Sequence, residues 1–287
     1  MPKSIILVTG KNGQLGNELQ LLSAHYPQFH FEFTDVAELD ITNKHKVDTF
    51  FMENKPVACI NAAAYTAVDK AESDRDLSMK INAEAVGILA KNCRTYDTRF
   101  IHISTDYVFD GTAREPYNEN YSINPVNYYG LTKLKGEQAA LRFQPGSIVI
   151  RTSWVYSFFG NNFVKTMLRL MKERNSLNVV NDQYGSPTYA ADLADVIMKI
   201  LVAANAPSGI YNYSNEGNIS WFDFATAIRD IAGLQCHINP VDTAAYPTPA
   251  KRPAYSVLNK EKIVETFPLQ IIPWQVSLEK CIKLLSA

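Results

Sequence analysis

Ser4-Ile5-Ile6-Leu7-Val8-Thr9-Gly10-Lys11-Asn12-Gly13-Gln14-Leu15-Gly16 is the stretch that decides the fold. Its first six residues are mostly apolar, the pattern of a short strand covered on both faces. Three glycines spaced by three follow, and over 14–24 Leu15, Leu19 and Leu22 share one face of a helix. Strand, glycine turn and helix, in that order, predict a dinucleotide-binding unit. The spacing has a chemical reason. Gly10 permits the tight turn, Gly13 lets the backbone approach a pyrophosphate, and Gly16 lets the helix lie close to the sheet. The free N–H groups at the helix start then face the anion. Lys11, Asn12, Gln14 and Leu15 complete this candidate cofactor-binding segment.

Outward from this unit the same alternation continues. Strands are expected at 29–34, 57–61, 100–104 and 147–151, and helices at 44–54, 74–96 and 127–142. Strands separated by helix-length segments imply right-handed crossovers and a parallel sheet. The fold class is therefore α/β, a Rossmann-like doubly wound parallel sheet with a smaller C-terminal substrate-binding lobe. The sheet domain is expected over 1–155, with about 185–215 returning to it, and the lobe over most of 156–287. Helices at 163–174 and 190–204 and a strand at 209–213 are expected there. Ser220-Trp221-Phe222-Asp223 has the form of a helix N-terminal cap, with the helix ending near Gly233. Three prolines make 246–253 extended or turning.

The chain has 287 residues and a formal net charge of -1, with 28 Lys plus Arg against 29 Asp plus Glu. That balance lacks the basic excess of a nucleic-acid binder. No apolar run reaches the length of a membrane span, and no secretory signal is expected. Cys59, Cys93, Cys236 and Cys281 are widely spaced and read as reduced structural thiols of a cytoplasmic protein.

Asp35 follows the second strand, where a carboxylate can bind ribose hydroxyls and favour NADH. Lys11 can instead attract the 2′-phosphate of NADPH, so both cofactors stay open. Asp40 and Ile41 are candidate contacts to the adenine edge. Tyr129-Gly130-Leu131-Thr132-Lys133 is the only YxxxK in the chain. It sets a phenol and an ammonium on one helical face. A free phenol with a pKa of about 10 is poorly matched to proton transfer at neutral pH, and a nearby ammonium is expected to lower it. Leu131, Leu134 and Leu141 form a separate stripe expected to face the core. Thr105, at the end of the 100–104 strand, can donate a hydrogen bond to a substrate carbonyl.

Together the TGxxGxxG loop, the strand-end Thr105 and YxxxK resemble the extended short-chain dehydrogenase/reductases. Longer motifs narrow this. Asn61-Ala62-Ala63-Ala64-Tyr65-Thr66-Ala67-Val68-Asp69-Lys70-Ala71-Glu72, Ser104 to Gly111, Arg151-Thr152-Ser153-Trp154-Val155-Tyr156, Asn181-Asp182-Gln183-Tyr184-Gly185-Ser186-Pro187-Thr188 and Arg252-Pro253 are similar to the dTDP-4-dehydrorhamnose reductase family. The resemblance covers essentially the whole chain. It implies reduction of the C4 ketone of dTDP-4-dehydro-L-rhamnose, with NADPH or NADH as hydride source and a dTDP-sugar as partner. It implies Thr105, Tyr129 and Lys133 as the catalytic triad. Ala62, Ala63, Ala64, Tyr65, Thr66 and Asn82 would flank the cofactor. Asp106, Tyr107, Trp154, Asn162 and Arg252 would contact the nucleotide sugar. Some relatives are metal-bridged dimers. Glu18 matches one acid of that site, but Ala191 stands where a second is expected, so no metal is assigned and a monomer or homodimer is left open.

Three rivals fit less well. Related dehydratases carry Thr-Asp-Glu at the strand end, where this chain has Tyr107 as the third residue. Epimerase–reductases need a Cys/His pair, and no cysteine lies beside Thr105 or Trp154. A non-catalytic regulatory subunit, similar to the β subunit of methionine adenosyltransferase, would not need Thr105-Asp106 and Thr152-Ser153-Trp154 in this form. A reductase of another nucleotide 4-keto-6-deoxy sugar remains the nearest alternative.

Overall fold

The computed structural model describes residues 3–286. Residues 1, 2 and 287, the outer ends of the two expected lobes, lie outside the described residues. The first half of the chain runs β1 (Ser4–Thr9), α1 (Gln14–Ser23), β2 (Phe29–Thr34), α2 (Lys44–Asn54), β3 (Ala58–Asn61), α3 (Arg75–Met79), α4 (Ala85–Thr95), β4 (Arg99–Thr105), α5 (Tyr128–Phe143) and β5 (Ile148–Thr152). The second half runs β6 (Val155–Tyr156), α6 (Phe163–Glu173), β7 (Ser176–Val180), β8 (Tyr184–Gly185), β9 (Thr188–Tyr189), α7 (Ala190–Val202), β10 (Gly209–Asn212), β11 (Ile219–Ser220), α8 (Trp221–Ile231), β12 (His237–Val241), α9 (Glu261–Thr266) and α10 (Trp274–Ser286).

Six strands form one sheet in the order β10-β5-β4-β3-β1-β2, every pair parallel. β1 has β2 on one side and β3 on the other. The order reverses there, so the carboxyl ends of β1 and β3 border the crevice where doubly wound sheets bind ligands. The sheet is covered on both faces, as the apolar strands require. Ile6, Val8, Ile60, Ile101 and Ile150 pack with α1 and α7 on one side; Leu7, Cys59, Phe100 and Val149 pack with α2, α4 and α5 on the other.

The expected single helix over 74–96 contains a π turn at Lys80–Glu84 between α3 and α4. Such turns insert a residue into the helical ladder and often mark functional positions. This one presents Asn82. The cap at Ser220 is a capping box: its hydroxyl accepts Asp223 N–H while the Asp223 carboxylate accepts Ser220 N–H. The pairing of β7 with β12 and helices α9 and α10 add to the expected elements. β7, α6, α8 and α10 enclose a second apolar core around Met167, Leu177, Phe224, Trp274 and Leu278. No described helix is long and apolar enough to cross a membrane.

Candidate active site

The glycine turn is shaped by contacts that admit no side chain. Gly10 has φ +76°, and a Cβ on it would lie 2.7 Å from Ala63 N. A Cβ on Gly16 would lie 2.2 Å from the Gly10 carbonyl oxygen. Helix α1 thus sits hard against the turn, and its N-cap Gly13 offers no side chain to the first N–H groups. Those donors remain available to a phosphate. Asp35, at the end of β2, accepts the Asn12 N–H at 3.1 Å and Val36 N–H at 2.8 Å. Lys11 Nζ meets Glu38 Oε1 at 2.8 Å in a partly exposed pair, which holds weakly. The cradle therefore fits a dinucleotide, with the Asp35 carboxylate and the Lys11 ammonium both beside the glycine turn. Asp40 is tied to Thr42 N and Oγ1 (2.9 and 2.8 Å), and Ile41 is buried beside Val47 and Phe51. Ile41 is thus a core residue.

Across the crevice, Asn82 closes the other wall. It accepts Tyr65 N–H at 2.8 Å, and its amide donates to Tyr65 O and Thr132 Oγ1, both at 3.0 Å. The 62–66 segment is clamped to α5 in this way, with Ala62, Ala63 and Ala64 half-buried along the groove and Thr66 exposed. Behind it, Thr9 Oγ1 donates to Asn61 Oδ1 (2.7 Å) and Asn61 Nδ2 donates to His102 Nδ1 (3.0 Å). Burial holds His102 neutral, with the Lys133 charge adding to the effect.

Helix α5 is capped by Asn127, whose side chain accepts the Gly130 N–H at 2.8 Å. Gly130 lets the first turn close on the strand end, since a Cβ there would meet Tyr107 O at 2.2 Å. The buried face of α5 is Thr132, Lys133, Gly136, Glu137 and Ala140; Leu131, Leu134 and Leu141 are only half-buried. Leu134 and Leu141 still pack, half-buried, against apolar clusters, as the stripe predicts. The face toward the sheet is given to polar groups that meet one another instead. Glu137 and Arg151 form a bidentate pair (Nε to Oε1 2.9 Å, Nη2 to Oε2 2.7 Å), both buried, and Ser104 Oγ donates to Glu137 at 2.6 Å. Lys133, one turn earlier, donates to Ile103 O at 2.6 Å.

Tyr129 packs edge-on against Tyr107, ring centroids 5.7 Å apart. Thr105 Oγ1 donates to Asp106 Oδ1 (2.9 Å) and accepts Tyr107 N–H (3.2 Å). The charge state of Tyr129 differs from expectation. Burial pushes its phenol well above the ordinary value; the Thr105 hydroxyl draws it back and the Asp106 charge raises it again. Lys133 spends its ammonium on the Ile103 carbonyl, so desolvation outweighs any pull from the lysine. The phenol therefore stays protonated at neutral pH. Lys133 itself is lowered to about 8 by burial, with Glu137 working to raise it. Its charge is complete below that value and lost above it. In the free enzyme kcat/KM should therefore fall as pH rises through about 8, a limb that a pH–rate profile reads directly.

The RmlD substrate binding domain family matches residues 4–287. The chain belongs to that family. A dTDP-4-dehydrorhamnose reductase from Aggregatibacter actinomycetemcomitans is 43% identical over 284 residues, covering 96% of this chain and 97% of the relative. The crystal structure of a dTDP-4-dehydrorhamnose reductase from Clostridium acetobutylicum superposes with a TM-score of 0.95 at 43% identity, covering 99% of this chain and 100% of that one. The enzyme of that name from Bacillus anthracis, solved in complex with NADP, gives 0.94 at 39%, covering 99% and 100%.

In this RmlD-family chain the remaining expected residues divide. Trp154 has φ +47°, a conformation costing a bulky residue about 1–3 kcal/mol. It is held by stacking on Trp221, centroids 3.5 Å apart, and by Thr188 N–H on its carbonyl. Arg252 reaches back to Asp69, Nη2 to Oδ2 at 2.7 Å, tying 246–253 to the 61–72 motif. Asn162 caps α6, and its amide donates to Gln14 Oε1 (2.9 Å) and Ser157 O (2.6 Å). Its side chain therefore joins α6 to α1, and Gln14 joins α1 to β6 through Val155 O at 3.3 Å. Glu18 is buried and accepts Ser157 Oγ at 2.5 Å; burial pushes its carboxyl up. Asp69, Glu137, Arg151 and Trp221 were not among the expected site residues. Glu137 had a local signal, four residues after Lys133 on the same helical face. The partners of Asp69 and Trp221 lie far away in sequence and gave none.

Proposed function

We propose that this chain reduces the C4 ketone of dTDP-4-dehydro-L-rhamnose to dTDP-L-rhamnose, the last step of dTDP-rhamnose synthesis. The observation that carries the reading is that Thr105, at the carboxyl end of β4, lies beside the Tyr129 phenol, while Lys133 from the same face of α5 reaches Ile103 O on that strand. The names of its relatives at about 40% identity agree with it.

Gly10, Gly13, Gly16 and the start of α1 would hold the pyrophosphate of NADPH or NADH, with Asp35 and Lys11 at the ribose end. The 62–66 segment and Asn82 would line the nicotinamide side. The bound cofactor supplies the hydride to C4. Tyr129, neutral through burial, gives its proton to the C4 oxygen and is reprotonated from solvent. Thr105 donates a hydrogen bond to the same oxygen, and Lys133 supplies positive charge behind it. Trp154, Tyr107 and Arg252 would border the sugar and nucleotide. The reading includes a cytoplasmic enzyme, with which four free, buried cysteines agree.

The test is direct. Protein is mixed with dTDP-4-dehydro-L-rhamnose and either NADPH or NADH, and loss of reduced nicotinamide is followed. Oxidation with dTDP-L-rhamnose as product is expected. No oxidation with either cofactor by folded protein would overturn the reading.

A further inference from the structure

The Thr105 hydroxyl has one proton, and in this structure the proton is taken. It points at Asp106 Oδ1, 2.9 Å away, while Tyr107 N–H occupies a lone pair at 3.2 Å. While it points there, none is left for a substrate oxygen or for the Tyr129 phenol beside it. Asp106 is only 2% exposed, and its Oδ2 has no hydrogen-bond partner among the described residues. The nearby charges are committed elsewhere: Arg252 to Asp69, Lys133 to Ile103 O, and Glu137 to Arg151. Facing Asp106 are the phenols of Tyr107 and Tyr129, both kept neutral by burial, and the Ser256 hydroxyl from the segment after Arg252.

We propose that Asp106 is a proton-dependent positioning residue: as a carboxylate it captures the Thr105 proton, and as a neutral acid it releases Thr105 to hydrogen-bond the substrate's C4 oxygen. The chemistry follows from donor counts. An ionised carboxylate only accepts, and its charge-assisted bond is the stronger one. A protonated carboxyl has an O–H of its own to give to Thr105, which then turns its proton outward. Burial raises the Asp106 carboxyl to about 6, against the pull of the Ser256 and Thr105 hydroxyls. The neutral form is therefore populated close to working pH, and negative charge growing on the substrate oxygen favours it further. The proposal rests on the ketone reduction proposed above and adds what sets the alignment of Thr105.

The experiment is single-turnover oxidation of NADPH with the keto-sugar from about pH 5 to about pH 9, on wild type, Asp106→Asn and Thr105→Val. The wild-type rate should fall through about 6, and again through about 8 as Lys133 loses its charge. Asp106→Asn is neutral at every pH. It should lack the first fall and keep the second, exceeding wild type by about tenfold near pH 7.5, the effect of one hydrogen bond to a charged group. Thr105→Val should be slow throughout and also lack the first fall. A fall near 6 that persists in either variant overturns the proposal, as does an Asp106→Asn rate below wild type at every pH.

Thermal unfolding against pH supplies a readout without turnover. An acid whose folded value is raised from 3.8 to about 6 destabilises the fold as pH rises between those values. Asp106→Asn should therefore melt higher than wild type above pH 6, the gain vanishing near pH 4. Parallel curves at all pH values would overturn the titration the proposal needs. Wild type that reduces no ketone at any pH would instead overturn the functional reading, and the two failures are told apart.

Discussion

Tyr129→Phe should lower kcat for ketone reduction by about 10²–10⁴-fold, the usual worth of a positioned general acid. The variant keeps the ring, so the edge-on contact with Tyr107 survives. Only the hydroxyl goes. The Asn127 cap and the Gly130 approach to Tyr107 O that fix the first turn of α5 are untouched. Cofactor affinity, which this reading places on the glycine turn and the 62–66 wall, should therefore stay within about twofold. Pre-steady-state hydride transfer and a cofactor titration measure the two quantities separately. Full turnover in the variant would remove Tyr129 from the mechanism. Equal losses of turnover and cofactor affinity would mean that the phenol holds the cofactor instead of protonating the substrate.

Arg151→Met should destabilise the fold by about 3–5 kcal/mol, because it leaves a buried carboxylate without its partner. Arg151 and Glu137 are both essentially inaccessible, at 0% and 1%. The pair joins α5 to β5 and receives the Ser104 hydroxyl of β4. The Arg151 guanidinium also lies over the Phe109 ring, 5.1 Å from its centroid. Once the arginine is gone, Glu137 is stranded without its partner. Glu137→Met with Arg151→Met removes both charges and should recover most of the loss, since apolar replacements of buried pairs are often neutral. Urea unfolding of the single and the double variant tests this. A single variant as stable as wild type would show that solvent reaches Glu137 and that the pair does not brace α5.

The two experiments probe different scales of the same helix. Tyr129 lies in its first turn, and the ion pair fixes the third turn to the sheet. Lys133 lies between them, and Glu137 is the group that works to keep it charged. Loss of the pair should therefore carry into the alkaline limb of the rate profile as well as into stability.

Much of this protein is written in local sequence. The strand, glycine turn and helix over 4–23 and the capping box at Ser220 depend on residues a few positions apart, where backbone geometry dictates what each type can do. The same is true of the shared face of Tyr129 and Lys133, which follows from helical pitch. The parallel sheet follows from alternation and handedness.

Tertiary structure decided the rest. β7 and β12 pair across about 60 residues, and neither has a pattern that names its partner. Trp154 finds Trp221, Asp69 finds Arg252, and Glu137 finds Arg151 only when the chain closes on itself. The acid–base states changed most. Spacing alone makes Lys133 the neighbour that lowers the Tyr129 phenol, yet the folded protein raises it. A pKa is set by how much water is removed and by which oxygen an ammonium meets, here the Ile103 carbonyl. Local sequence therefore named the candidate reacting groups, while burial, which every packed element contributes to, fixed where their protons reside.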